Sequence, residues 1–241
     1  MLPTLINGRW ELRLPEHRHA RPEWPWWEAT RLAAMRHVIR SSDVVFDIGA
    51  EEGDFPALFA SWGASVVCFE PNDRVWPNIR AIFQANDLRL YGWFRGFASD
   101  DVANVQLGPM SGDIGHGFAW PPCADGPVIG DHGFQTIPEY PDVPRITVDA
   151  YCAATGHRPD VLTLDVEGAE FRVLSGARDT LVTWRPVVFA SIHPEFMRDT
   201  YGDTPAHIET LMADVGYESR FLCRDHEEHW VFWHPDGRRF P

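Results

Sequence analysis

The chain has 241 residues, 44% hydrophobic and 23% charged, a composition that suits a globular fold whose core needs no disulfides. Its 21 basic and 35 acidic residues give a net charge of −14 without any Lys/Arg run, which argues against a nucleic-acid partner. Every basic residue is Arg, so lysine-dependent chemistry (Walker-A loops, pyridoxal enzymes, Schiff-base aldolases) is excluded as well.

Residues 1–24 read as a polar N-terminal arm with a short strand at Trp10–Leu14. Trp27, Leu32, Met35 and Ile39 recur at near-helical spacing and predict a helix over Trp26–Arg40. The apolar runs Val44–Ile48 and Ser65–Glu70 predict two buried parallel strands separated by a helix over Phe55–Trp62. A helix over Arg74–Asn86 and a third strand over Leu88–Phe97 follow. Residues 101–145 hold seven Gly and seven Pro among 45 positions and show no periodicity, and they read as a lid or substrate loop. Regularity returns with a helix at Thr147–Thr155, a strand at Val161–Asp165, one helix over Ala169–Val182 and a strand at Pro186–Ile192. A helix over Thr204–Val215, stopped by Gly216, precedes strands at Tyr217–Cys223 and His229–Trp233 around a charged turn. Alternating strands and helices predict an α/β fold, a doubly wound, mostly parallel sheet of seven strands with an antiparallel closing hairpin. The expected division is an arm and helix over 1–40 and one domain over 41–241.

Cys68, Cys123, Cys152 and Cys223 have no CxxC spacing and read as free thiols. No apolar run of membrane-spanning length and no leader pattern is present, so the expected location is cytoplasmic, with no membrane partner.

Four segments place chemistry at predicted strand ends, where open α/β sheets bind ligands. The first is Asp47-Ile48-Gly49-Ala50-Glu51-Glu52-Gly53. Its glycines permit a tight turn, and its acids would repel a pyrophosphate but accept a cationic amino-acid moiety. The second ends in Glu70-Pro71-Asn72, with the Glu placed for ribose hydroxyls. The third carries Asp165, Glu167 and Glu170 and could position a substrate, take a proton or bind a metal, although acids also gather at helix starts without a ligand. The fourth brings His193, whose ordinary pKa suits a base near neutrality. His226 and His229 in the closing hairpin read as part of a solvated turn rather than a metal site.

The segments DIGAEEGDF, VVCFEPND, ITVDAY and PDVLTLDVEGAEFRVLSGA resemble the FkbM family of class I S-adenosylmethionine-dependent methyltransferases, over about residues 43–195. The chain departs from the family's usual loop at Glu51, where Asn is usual, and at Pro56, where Ser or Thr is usual. The resemblance implies a Rossmann-like fold and S-adenosyl-L-methionine as methyl donor, with S-adenosyl-L-homocysteine as product. It places Asp47, Gly49, Ala50, Glu51 and Gly53 around the methionine part and Glu70 at the ribose. Pro71, Asn72, Ala98 and Ser99 fall near the adenine, and Asp165 near the transferred methyl group. It further implies O-methylation of a hydroxyl on a sugar, glycan or natural product. Asp165 and His193 are the catalytic candidates, and a divalent metal on Asp165 is the less favoured rival. N- or carboxyl-methylation, a non-catalytic S-adenosylmethionine binder and an NAD-dependent oxidoreductase are the alternatives. A homo-oligomer stays open.

Overall fold

The computed structural model describes residues 1–105, 119–127 and 142–240. The chain begins with a hairpin, β1 (Leu2–Ile6) against β2 (Trp10–Leu14), joined by the three residues Asn7, Gly8 and Arg9, of which the first two hold positive φ and the Arg9 amide donates back to the Ile6 carbonyl. The short α1 (Glu16–His19) and α2 (Ala29–Val38) follow. The first 40 residues are packed rather than appended. Ile6, Leu12, Leu14, Trp24, Leu32 and Met35 lie in the same core as the helices that come next.

The main body alternates β3 (Val44–Ile48), α3 (Asp54–Ser61), β4 (Ser65–Phe69), α4 (Trp76–Ala85) and β5 (Gly92–Phe94). A two-stranded sheet of β6 (Phe97–Ala98) and β7 (Arg145–Ile146) leads to α5 (Val148–Thr155), whose first turn is capped by Thr147. Then come β8 (Val161–Leu164), α6 (Glu170–Ser175), α7 (Arg178–Trp184), β9 (Val187–Ile192), the short α8 (Pro194–Phe196) and a π-turn over Met197–Tyr201. The helix α9 (Pro205–Asp214) precedes β10 (Glu218–Arg224) and β11 (Glu228–Trp233).

Among the described residues one sheet of seven strands runs β10-β11-β9-β8-β3-β4-β5. The five strands from β9 to β5 are parallel and the closing hairpin is antiparallel, the Rossmann-like arrangement expected of a class I methyltransferase. The order reverses between β3 and β8, which opens a crevice at their carboxyl ends. Successive strand residues face opposite sides. Val45 joins the core under α2, α3 and α4, while Phe46 and Ile48 join the core under α5, α6, α7 and α9. Arg238 crosses back to Asp43 through both terminal nitrogens and to the Val38 carbonyl, fastening the last segment to the start of β3.

Two expected elements differ. The helix expected over Ala169–Val182 is two helices, α6 and α7, parted at Gly176-Ala177. A Cβ at Gly176 would lie 2.1 Å from the Ser99 carbonyl oxygen, so the chain passes too close there for a side chain. The strand expected over Leu88–Phe97 shrinks to β5, because the chain bends at Gly96 to pair β6 with β7. A Cβ at Gly96 would lie 2.3 Å from the Pro144 carbonyl oxygen. Most of the expected lid lies outside the described residues. Its stretch 119–127 packs over α4 and β5: Trp120 sits edge-on to Phe83, and Trp93 Nε1 donates to the Ala119 carbonyl. No helix among the described residues is long and apolar enough to cross a membrane.

Candidate functional site

The carboxyl ends of β3, β4, β8 and β9 bring the predicted residues to one rim. Gly49 and Gly53 hold φ of 89° and 96°, which glycine adopts freely. The amides of Gly49 and Ala50 donate to the Phe69 carbonyl, pulling the loop onto the end of β4. A Cβ at Gly49 would stand 1.9 Å from the Asp165 carbonyl oxygen, so β3 and β8 are in backbone contact where their ends part.

Asp47 is buried at the base of this loop. One carboxylate oxygen accepts from Thr163, and the other, Oδ2, has no hydrogen-bond partner among the described residues. Burial, assisted by the like charge of Asp165, pushes its pKa up to about 7. Glu70 is buried too, and its two oxygens accept the amides of Glu51 and Asn72, tying the loop to the segment after β4. Burial raises its pKa to about 8 against the pull of those two bonds. Pro71 and Asn72 therefore flank Glu70 directly. Ala98 and Ser99 lie in and just after β6, the Ser99 amide donating to Ile146 and its carbonyl resting on Gly176.

The loop acids have partners that the sequence pattern did not reveal. The guanidinium of Arg18, fully buried, donates to Glu51 at 3.0 and 3.2 Å and also holds Asp54. Glu52 takes His17 at 2.6 Å and Asn78 at 2.7 Å. The loop's negative charge is thus balanced from behind by the N-terminal segment, while Asp47 has no cation bonded to it and feels Arg31 only through space. Glu51, the departure from the usual family loop, is matched by Arg18. Pro56 sits in the first turn of α3, where its missing N–H costs nothing.

Asp165 and His193 lie side by side, as the adjacent pairing of β8 with β9 requires. Asp165 Oδ2 accepts from Arg31 Nη1 at 3.1 Å, and the same nitrogen donates to Glu28 at 2.9 Å. Burial alone would lower the Arg31 pKa, but Glu28 and Asp165 outweigh it and hold the charge firmly. His193 Nδ1 bonds Glu170 Oε1 at 2.7 Å. Its Nε2 faces Asp165 Oδ1 at 3.7 Å, Glu167 Oε2 at 3.6 Å and Glu227 Oε2 at 3.9 Å, all beyond hydrogen-bond length. Burial alone would lower the His193 pKa, yet Glu170 and the other carboxylates raise it to about 9. The carboxylates around it thus favour the protonated ring over the neutral base that its ordinary pKa suggests.

The charged hairpin turn is also not simply solvated. Asp225 and His226 are exposed, but Glu227 is 5% and His229 1% exposed, because the β11–β9 register (Glu228 opposite Ile192) swings Glu227 beside His193. Burial and the like charge of Asp165 push Glu227 up to about 8. Two tryptophans of the N-terminal segment are packed: Trp24 and Trp27 meet edge to face, and Trp27 lies against Phe55. Trp26 stays exposed. Arg18, Arg31 and Glu28 went unread as site residues, the hint being the i, i+3 spacing of Glu28 and Arg31, while Glu227 stood in a segment dense in metal-ligand types that was read as a solvated turn. Two surface clefts, one at Glu209, Tyr217 and Trp230 and one at Asp149, Arg158 and Trp184, include none of these rim residues.

The methyltransferase FkbM domain family matches residues 47–219, which span the loop, Asp165 and His193 and end at the second residue of β10. Among solved structures, the fold resembles methyltransferase FkbM from Methylobacillus flagellatus KT, with TM-score 0.52, 14% identity, and coverage of 81% of this chain and 44% of that one. This chain thus spans less than half the length of that protein. It also resembles precorrin-6y C5,15-methyltransferase from Geobacter metallireducens GS-15 (TM-score 0.50, 11% identity, 92% and 93% coverage). A third likeness is to ribosomal protein L11 methylase from Lactobacillus delbrueckii subsp. bulgaricus (TM-score 0.50, 10% identity, 86% and 76% coverage). At identities this low the structural likenesses carry the fold alone. No curated protein matches the sequence.

Proposed function

Because the chain belongs to the FkbM family of S-adenosylmethionine-dependent methyltransferases, we propose that it methylates a hydroxyl group of a sugar, glycan or related natural product. The observation that carries the reading is the unpartnered, buried Asp47 oxygen beside the glycine loop, on the same rim as Asp165 and His193. A buried carboxylate oxygen without a donor fits an ammonium group, so the residues present suit the amino-acid end of S-adenosylmethionine. Asp47, Gly49, Ala50, Glu51 and Gly53 would hold that end and Glu70 the ribose, with Pro71, Asn72, Ala98 and Ser99 toward the base. When bound, the cofactor supplies an electrophilic methyl group on a sulfonium.

What remains for the protein is to seat the acceptor and take its proton. Asp165 Oδ1, the oxygen that Arg31 does not hold, accepts the hydroxyl proton as the acceptor oxygen gains the methyl carbon. Arg31 fixes the carboxylate's direction, and His193, fixed by Glu170, balances the charge that gathers around it. Orientation of this kind is worth several kcal/mol of barrier.

The rim's charge speaks to the class of acceptor. Glu28, Asp165, Glu167, Glu170, Asp225 and Glu227 converge there, and Arg31 and the protonated His193 offset only part of that acidity. Phosphodiesters and carboxylates would be repelled by that field, which supports a neutral hydroxyl over RNA or a carboxyl group. Structural likeness to a protein methylase and a precorrin methylase does not decide the acceptor. Calorimetry should give S-adenosylhomocysteine binding and no NAD binding. A screen with tritiated methyl donor should label neutral saccharides. Absence of S-adenosylhomocysteine binding overturns the cofactor assignment, and label confined to amines overturns the hydroxyl.

A further inference from the structure

We propose that Asp165, His193 and Glu227 form a binding site for one first-row divalent cation. One ligand atom from each lies within 4.8 Å of the others. The three come from separate elements that the sheet brings together: Asp165 after β8, His193 after β9, and Glu227 in the turn that the β11–β9 register lays over both.

Three features distinguish this group from an ordinary knot of acids. First, His193 is oriented as a ligand, provided that the incoming cation displaces the Nε2 proton to solvent. Its Nδ1 is taken by the buried Glu170, which leaves Nε2 aimed at the carboxylates, the arrangement by which metal-bound histidines are commonly held from behind. Second, that nitrogen lies on a side chain nine-tenths buried and makes no hydrogen bond to the oxygens it faces. They stand 3.6 to 3.9 Å away, too far for a bond to each other. Metal–ligand bonds of about 2.0–2.2 Å put neighbouring ligand atoms roughly 3–3.6 Å apart, so a small inward shift of these side chains closes a coordination shell. Third, Asp165 divides its oxygens, Oδ2 to Arg31 and Oδ1 toward His193, so its free oxygen is already directed inward. Four carboxylates surround one imidazole here, and a dication answers that excess charge better than the imidazole can. One imidazole nitrogen with carboxylate oxygens is a mixed ligand set suited to Mn²⁺, Fe²⁺, Co²⁺ or Zn²⁺ rather than to an all-oxygen cage.

The chemical consequence rests on the reading of this rim as the acceptor end of a methyltransferase. A cation held there takes the acceptor oxygen as a further ligand and acidifies its hydroxyl. Asp165 then holds the cation, in place of the proton-accepting role it has without one, and the hydroxyl proton passes to Glu167, the carboxylate outside the three ligands that faces the same point.

The test uses the full chain stripped with chelator and titrated with Mn²⁺, followed by electron paramagnetic resonance of the free ion. S-adenosylhomocysteine calorimetry runs in parallel on every sample. The expected result is one Mn²⁺ per chain, weakened at least about tenfold in Glu227→Gln, His193→Gln and Asp165→Asn. Glu195→Gln, an exposed acid two residues from His193, should leave it unchanged. Retained S-adenosylhomocysteine binding shows that a variant is folded. No Mn²⁺ uptake by a chain that binds S-adenosylhomocysteine overturns the cation site and leaves the methyltransferase reading standing. Mn²⁺ uptake without S-adenosylhomocysteine binding keeps the site and overturns that reading. Uptake that the three variants do not weaken puts the ion elsewhere and overturns the inference.

Discussion

Replacing Arg18 by Met keeps most of the aliphatic stem and removes the charge that faces the glycine loop. The partners left behind differ in their surroundings. Asp54 has 2% of its side chain exposed and loses the cation that held it. Glu51 is 48% exposed, so water takes over much of what Arg18 provided, and its share is a few tenths of a kcal/mol. Glu52 keeps His17 and Asn78. Stranding one member of a buried pair typically costs about 3–5 kcal/mol, and here nearly all of that falls on Asp54. Urea unfolding followed by circular dichroism should show a loss of that size in Arg18→Met. Adding Asp54→Asn should restore part of it, with an interaction energy of about 2 kcal/mol in the double-mutant cycle. A single-variant loss below about 1 kcal/mol, or no recovery in the double variant, would refute the claim that Arg18 holds the loop through Asp54.

Gly49→Ala drives a Cβ to within 1.9 Å of the Asp165 carbonyl and imposes a left-handed φ on alanine, so a loss of several kcal/mol is expected; an unchanged Tm would count against the close approach of β3 and β8. Folded Asp47 keeps its proton to about 7, while the unfolded chain releases it near 3.8. Across that window the unfolded state binds fewer protons, so the wild type should lose stability relative to D47N as pH rises, by up to about 1.4 kcal/mol per unit; parallel urea midpoints for the two proteins would contradict the burial argument. His193→Ala removes the ring that Glu170 fixes beside Asp165 and should lower turnover at least about tenfold while leaving S-adenosylhomocysteine affinity nearly intact, whereas normal turnover would make His193 structural.

The strands were the most legible part of the chain. Val44–Ile48 was read to the residue because a short β-branched run buried on both faces has few other homes. The break at Gly176 escaped because the Ser99 carbonyl that lies against it comes from 77 positions away (176 − 99) and leaves no mark on the local apolar spacing. The site divided in the same way. Asp47, Glu70, Asp165 and His193 could be named because strand ends follow from the strand order. Their partners could not, since Arg18 reaches Asp54 across 36 positions and Arg31 reaches Asp165 across 134. Glu227 was read as solvated because the composition of a turn says nothing about what the turn folds onto.

The fastening of Arg238 to Asp43 has a kinetic meaning. It spans 195 positions, so its closure waits until the sheet has brought both segments together. A contact of that span belongs to the descent after the folding barrier rather than to the nucleus. It acts as a latch: its strength is felt in how slowly the native state opens, and hardly at all in how fast it is reached.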